Sequence, residues 1–564
     1  MYESSPTEAA SKPAEFHCPV CFFSGQASLR YDFVENRIYA CPLCGFMFMH
    51  PQPTEKELSE LYSNRDYFCH ESFYSGDNKT IYGYADYFAE RMNKQSRYGR
   101  IAQKCMHLLT EGLSGNEKKR LLEVGSGPGF FLEEAHKAGF SVEGIEFNPE
   151  IIAECRRNHP FPVVCEDYLK IEARPDSYDC IVMLDVLEHF PDPFSAVKKA
   201  FTELVPGGVL VISTVDSGSC VSRLLGKRLE DFRRVREHLF FFNRSNIARL
   251  LRQQGFLVLS TSSIGHTFIL GHLYERLRLM YPTRARVPAF LRSLGERLKN
   301  RTISINPRTK MILFAQKPSL AHSRLVSEHI RKDLAHMDGY DNYYRHLMAG
   351  VADLVRGKTI MELGCGTGNA MEKLMDMGAW SVTGLDKDGQ SIKKARERLD
   401  RAGYGDLCRC LVMDTDSERG ELSRLIRLNR PDVVFSFNFF EHTMDDLGLV
   451  RAIYRSMETG SRLVSIVPAG SRLYNRLDEA YLHHRRYDER DVRLRFAPFS
   501  IQRIYRLGFL KGLGWYFLGN RPYKGLAGHL ANYNLLFNLD RTIDRAFGNR
   551  VPMGATWVLV HEKK

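Results

Sequence analysis

Two stretches of the chain repeat one alternation of short apolar runs and amphipathic segments. In the first, Arg120-Leu121-Leu122 reads as a strand, a helix-like segment follows, and VEGIEFNPE (residues 142–150) is a second short strand ending in an acid, Glu146. DCIVMLDVLEHF (179–190) then gives a strand apolar enough to be buried on both faces, and a helix and turn lead into PGGVLVIST (206–214). The second stretch runs in the same order. Thr359-Ile360-Met361 is followed by VTGLDKDGQ (382–390) with Asp386, DVVFSFNFFEHT (432–443) and TGSRLVSIV (459–467). Strands alternating with helices predict an α/β fold with a doubly wound, mostly parallel sheet. Finding the pattern twice in 564 residues predicts two such domains.

The turn after the first strand of each repeat carries the candidate chemistry. It reads Glu123-x-Gly125-Ser126-Gly127-x-Gly129 in one copy and Glu362-x-Gly364-Cys365-Gly366-x-Gly368 in the other, 239 residues later. Glycines there let the backbone approach a ligand closely at the carboxyl end of the strand. A dinucleotide loop would read GxGxxG and cradle a pyrophosphate. An acid two residues before the first glycine suits a cationic ligand without phosphate better, and S-adenosylmethionine is such a ligand. Glu146 lies 21 residues past Gly125 and Asp386 lies 22 past Gly364, where a carboxylate can take both ribose hydroxyls. A third acid in each copy, Asp167 and Asp414, suits the adenine amino group.

The N-terminal region carries a different signal. Cys18-x-x-Cys21 and Cys41-x-x-Cys44 are separated by nineteen residues, a spacing that brings four thiolates around one structural Zn²⁺. Leu29–Phe33 and Arg37–Ala40 are its expected hairpin strands. The other nine of the thirteen cysteines show no pairing logic.

These motifs together resemble class I S-adenosylmethionine-dependent methyltransferases, and closely the group containing ubiquinone-biosynthesis O-methyltransferases, with its Leu-Glu-His signature. The first half also resembles bacterial members with an N-terminal zinc ribbon, through HPQPTEKELSELYSNRDYF (50–68), EHLFFFN (237–243) and INPRTKMILFAQKP (305–318). The second half has HHRRYDERDV (483–492), LGFLKGLGWYFLGN (507–520) and a closing ATWVLVHEKK (555–564). The resemblance implies two Rossmann-like class I methyltransferase domains plus a small zinc ribbon. It implies two S-adenosylmethionine pockets, lined by the glycine loops and the acids already named. The expected boundaries are 16–50 for the ribbon, 51–318 for the first domain with a helical lead-in, 319–340 for a helical linker and 341–564 for the second domain. Residues 266–300 are expected to form a helical lid.

If the acceptor is a hydroxyl, a base must take its proton. His189 and His442, at the mouth of the fourth strand, are the candidates. Glu188 and Glu441 would orient them or bind a cation that polarises the acceptor, and His484 and Arg486 would line the second acceptor site. The alternative is that each Glu-His pair only closes its strand.

Charge changes this picture little. A net charge of +12 favours anionic partners, with cations dense in 223–236, 274–301 and 483–496. These segments read as solvated helix faces or as a basic surface for peripheral membrane contact. The expected acceptors are small molecules, glycans or lipid-linked molecules. Alternatives are an RNA methyltransferase and a chain in which one pocket is degenerate and serves as a scaffold. No secretory leader or membrane span is legible, so a cytoplasmic enzyme is expected.

Overall fold

The computed structural model describes residues 15–33, 36–63, 91–112, 118–269, 302–319, 341–518, 533–549, 551 and 554–564. Of the helical lid expected over 266–300, residues 266–269 are instead strand, paired with 302–305, and the rest lies outside these, as do residues 320–340 of the expected linker and the stretch 64–68. The chain divides into two compact units at about residue 320, with Cys21–Phe23 grouped with the second.

The N-terminal segment forms β1 (Glu15–His17), β2 (Ser24–Gln26), β3 (Ser28–Asp32), β4 (Arg37–Ala40) and β5 (Met47–His50). β1 pairs with β2, and β3, β4 and β5 form an antiparallel meander. The hairpin expected between the two cysteine pairs is therefore β3–β4.

The first domain contributes β6 (Arg120–Val124), β7 (Ser141–Glu146), β8 (Val163–Cys165), β9 (Tyr178–Leu184), β10 (Leu204–Val215), β11 (Phe240–Phe241), β12 (Leu257–Ile269) and β13 (Thr302–Gln316). Seven of these make one sheet in the order β12-β13-β10-β9-β6-β7-β8. β6 to β10 run parallel, and β13 is antiparallel between β10 and β12. The two-residue β11 leaves this sheet and pairs with β5, Phe240 opposite Phe48 and Phe241 opposite Met47. The EHLFFFN segment therefore supplies the edge of the cysteine-bearing sheet.

The second domain repeats the arrangement with β14 (Thr359–Leu363), β15 (Ser381–Asp386), β16 (Cys408–Val412), β17 (Val433–Phe437), β18 (Arg462–Pro468), β19 (Ser500–Leu507) and β20 (Thr556–Glu562). The order β16-β15-β14-β17-β18-β20-β19 matches the first sheet strand for strand, with β20 antiparallel. Because helices cover both faces, the central strands carry apolar residues in unbroken runs. Two separate buried clusters result, one around Met371, Phe435 and Ile466 and one around Met361, Phe440 and Leu463.

Local constraints repeat as well. The fourth strand of each sheet ends in a residue with left-handed backbone, Asp185 (φ 57°) and Asn438 (φ 49°). Asp and Asn tolerate that conformation better than other non-glycine residues, so the Asp-to-Asn difference between the copies leaves the turn intact. On the second strand, Gly144 and Gly384 stand opposite Glu123 and Glu362. A Cβ on Gly384 would lie 2.4 Å from Met371 Sδ and 2.8 Å from Cys365 Sγ. Gly384→Ala is therefore expected to destabilise the chain by about 1–3 kcal/mol, read from a denaturant melt. An unchanged midpoint would show that the loop yields freely.

Candidate functional site

Each glycine loop is held by the same backbone bonds. Gly125 and Ser126 donate their N–H groups to Ile145 O at 2.8 and 3.0 Å, and Gly364 and Cys365 donate to Leu385 O at the same distances. The three glycines of each loop all have positive φ, from 52° to 85°. A Cβ on Gly125 would meet Val186 at 2.5 Å and one on Gly364 would meet Phe439 at 2.5 Å, whereas one on Gly366 would project into open space. The outer glycines are needed for packing and Gly366 keeps a cradle open.

The acids surround this loop. Glu146 accepts from Gly127 N (2.9 Å), Phe147 N (2.8 Å) and Asn148 N (3.0 Å), and Asp386 accepts from Gly366 N (2.9 Å) and Asp388 N (2.9 Å). Both remain partly accessible. Asp167 and Asp414 each accept the backbone N–H two residues on, at 2.9 and 3.1 Å, as Asx turns. Glu123 and Glu362 are buried beneath the loops, and Oε2 of each has no hydrogen-bond partner. Burial, with the charge of Glu146 next, pushes the Glu123 carboxyl well above the usual range. Burial, with the charge of Asp386 next, pushes Glu362 up to about 8. A turn ringed by acids, with Gly125, Gly364 and Gly366 partly accessible and a buried carboxyl oxygen unsatisfied beneath it, fits a cationic adenosyl ligand better than a pyrophosphate.

Family comparisons agree with this geometry. A family profile described as a methyltransferase domain matches residues 93–261, and a second profile of the same description matches 361–463. The chain carries two methyltransferase domains. It is 32% identical over 111 residues to a ubiquinone biosynthesis O-methyltransferase of Pseudomonas aeruginosa (strain LESB58), covering 19% of this chain and 47% of that protein. It is 32% identical over 114 residues to one from Aeromonas salmonicida, covering 19% and 48%. The chain thus spans about half the length of the curated relatives it matches. Among solved structures, an S-adenosylmethionine-dependent methyltransferase from Mesorhizobium loti is 19% identical, covering 37% of this chain and 95% of that one, with a TM-score of 0.25.

At the end of the fourth strand of each methyltransferase domain, the Leu-Glu-His or Phe-Glu-His segment forms a single 3₁₀ turn, Leu187–His189 or Phe440–His442. Glu188 and Glu441 are both 0% exposed. Neither carboxyl makes a hydrogen bond of good geometry, although the Thr214 hydroxyl lies close enough to Glu188 to favour its charged form. The glutamates therefore do not orient the histidines. His189 is instead held by Tyr62, whose hydroxyl shares a hydrogen bond with His189 Nδ1 (2.9 Å) and lies 3.3 Å from Glu237 O.

The sequence reading missed a second histidine in each domain. His238 and His483 bring a ring nitrogen within 4.8 Å of the Glu-His pair. The ring centroids of His189 and His238 are 4.9 Å apart at 82°, and those of His442 and His483 are 4.8 Å apart at 78°. The next residue in each late segment donates its backbone N–H to the glutamate carbonyl, Leu239 to Glu188 (2.9 Å) and His484 to Glu441 (2.8 Å). EHLFFFN and HHRRY, dissimilar as strings, thus fill the same place. The one legible signal was the histidine common to both.

The basic segments are partly consumed inside the fold. Arg486 is buried and binds Asp478 (2.8 and 2.9 Å) and Ala469 O (3.2 Å), so it is part of the wall and not an anion receptor. Arg485 and Arg495 share buried Asp446, and Arg234 pairs with Glu230 and Glu237. Segment 274–301 lies outside the described residues. Among the described residues no helix is long and apolar enough to cross a membrane.

The four cysteine sulfurs of the N-terminal segment lie within 4.8 Å of one another, with Cys18 and Cys44 Sγ at 3.6 Å. Four thiolates at Zn–S bonds of ~2.3 Å have edges near that length, so the donor set fits one tetrahedral zinc ion.

The buried acid has a measurable consequence. A carboxyl near 8 in the fold and near 4.5 when unfolded lowers stability as the pH rises between those values, because the unfolded chain then binds fewer protons. The melting temperature of the ligand-free chain is expected to fall between about pH 6 and pH 8, and Glu362→Gln to flatten that slope. An identical slope in the variant would contradict the raised value.

Proposed function

We propose that the chain is an S-adenosylmethionine-dependent methyltransferase with a working cofactor pocket in each domain, transferring methyl groups to oxygens of small-molecule, glycan or lipid-linked acceptors. The observation that carries this reading is the duplicated turn: three left-handed glycines, a buried unsatisfied acid beneath them and a partly accessible acid at the end of the second strand.

Within each pocket, Glu146 or Asp386 takes the ribose hydroxyls, exchanging its loop N–H bond for ligand contacts, and Asp167 or Asp414 holds the adenine side. Glu123 or Glu362, held neutral by burial in the ligand-free fold, offers a carboxyl under the loop whose ionisation a cationic ligand would favour. When bound, S-adenosylmethionine supplies an electrophilic methyl on a cationic sulfur that leaves as a neutral thioether. Little covalent chemistry is then asked of the protein, and alignment supplies much of the effect. The acceptor proton must leave as the oxygen attacks, and the cluster of Glu188, His189 and His238, or Glu441, His442 and His483, is where the chain deals with it. Burial lowers the pKa of His189, so its ring is neutral at physiological pH.

The test is calorimetric titration of the full chain with S-adenosylmethionine. Two equivalents are expected, falling to one in Gly127→Leu and to one in Gly366→Leu, with both variants retaining their circular dichroism. No uptake by the unaltered chain would refute the reading, and one equivalent would reduce it to a single working pocket beside a degenerate one.

The cysteine cluster is assigned one structural zinc. Met49 N donates to Leu239 O (2.8 Å), so the zinc-bearing sheet holds the backbone next to His238. Zinc removal by a chelator is expected to raise amide hydrogen exchange at residues 237–241. Protection unchanged after complete metal loss would show that the sheet stands without zinc.

A further inference from the structure

The two Glu–His–His clusters match in their residues and differ in the charges around them. In the first domain Asp185 closes the fourth strand, and Lys310 reaches it from β13, 3.1 Å from its carboxylate and 3.9 Å from that of Asp231. Strand register carries both places into the second domain. Leu184 pairs with Ser213 and Val215 with Lys310, while Phe437 pairs with Ile466 and Pro468 with Thr556. Asn438 therefore stands for Asp185 and Thr556 for Lys310, so the ion pair of the first turn has no counterpart at the second.

The remaining charges are balanced in one domain and not in the other. Around Glu188, His189 and His238, the acidic and basic side chains that bear most are Asp185 and Glu237 against Lys310 and Arg234, and these meet one another as ion pairs. Around Glu441, His442 and His483 they are Arg486, Lys387 and Lys511 against Asp478. Asp478 is already taken by Arg486, at 2.8 and 2.9 Å, and by His483 at 2.8 Å. Among the described residues, Lys387 and Lys511 thus add two cations that the first cluster lacks. They come from different elements. Lys387 follows β15, and Lys511 lies in the first turn of the helix Phe509–Leu518, whose start is tied to the Asp540 carboxylate by the N–H groups of Leu510 and Lys511 (2.6 and 3.1 Å). Asp416, whose carboxylate feels Lys387, is met by Arg419 at 3.7 Å. The central glutamates do not offset the difference, because burial pushes Glu188 and Glu441 alike up to about 8. Lys387 and His442 are exposed, so the positive side of the cluster opens to solvent.

We propose that the second domain takes an acceptor bearing an anionic group, a carboxylate or a phosphate ester, which Lys387 and Lys511 receive beside the Glu441–His442–His483 cluster, while the first domain takes an acceptor without one. The proposal rests on the methyltransferase reading above and narrows it to a substrate class. Its physical basis is electrostatic complementarity, which sorts partners more than it tightens them: a positive mouth favours a charged acceptor, and the mutually paired charges of the first domain offer it no such attraction. Two lysines from separate elements meet an oxyanion as point charges, which fixes where that group lies and leaves the histidines to the reacting oxygen. Arg486, spent on Asp478, takes no part.

The test incubates the full chain with labelled S-adenosylmethionine and a cell extract and passes the products over an anion exchanger at pH 7. The product that Asp386→Asn removes should be retained, and the product that Glu146→Gln removes should pass through. Retention abolished by a phosphatase identifies a phosphate ester, and retention that survives it a carboxylate. Lys387→Gln and Lys511→Gln should each lower labelling of the retained product by about tenfold at limiting extract, with recovery when the extract is concentrated and with the other product, made in the same tube, unchanged. Lys511→Arg should keep most of the labelling. Asn438→Asp, which restores the carboxylate of the first turn without its lysine, should lower it. A second-domain product that is not retained, or labelling that none of these substitutions changes, would overturn the proposal. Uptake of S-adenosylmethionine should stay the same in both glutamine variants, and a loss would place that lysine on the cofactor and overturn its part. If neither domain labels a product, the methyl-transfer reading fails and titration of the full chain with inorganic phosphate and with benzoate decides the anion site. Uptake of either that Lys387→Gln and Lys511→Gln abolish upholds it, and no uptake, or uptake indifferent to both, overturns it.

Discussion

The structure depends on a backbone turn that only glycine can make. At the end of the first strand of each sheet, consecutive N–H groups converge on one carbonyl of the neighbouring strand, Ile145 O or Leu385 O, while the chain passes through three left-handed residues. Side chains at these positions would strain the backbone, and at Gly125 and Gly364 they would also strike the fourth strand's turn. Once the turn is made, its acid is forced under the loop, its middle glycine reaches the acid of the second strand, and the fourth strand's Glu-His turn is set beside the opening. The second-strand glycines, Gly144 and Gly384, are part of the same constraint, because Ser126 and Cys365 occupy the space their side chains would take.

Much of this was legible in the sequence because it is local. The glycine loops, the acids and the apolar fourth strands lie in short windows whose spacing fixes their geometry, and the α/β fold follows from their alternation. The cysteine pairs were legible for the same reason. Longer-range features were hidden. That Phe240-Phe241 pairs with β5, or that Tyr62 reaches His189, depends on contacts between segments more than a hundred residues apart. His238 and His483 were obscured by neighbours, since EHLFFFN and HHRRY share little beyond one histidine. The arginines of 483–496 misled in the opposite direction: a basic run suggested a surface, but Arg485, Arg486 and Arg495 are spent on buried Asp446 and Asp478.

The two domains thus agree at the glycine turn with its acids and agree again at the Glu–His–His cluster, but they build the walls around that cluster from different material. In the first, a cysteine-bearing sheet extends to β11 and carries the segment holding His238, and Tyr62 closes over His189. In the second, a buried Asp478–Arg486 pair supports His483. Matching residues at the centre with unlike walls are what the proposed pair of methylations on different acceptors would require.

That claim is tested most directly by methyl transfer itself. Incubating the full chain with labelled S-adenosylmethionine and a cell extract, then separating the labelled products, should give two distinct products. One should vanish when the first domain's Glu146 is replaced and the other when the second domain's Asp386 is replaced. A single product lost with either substitution, or no labelled product at all, would contradict it.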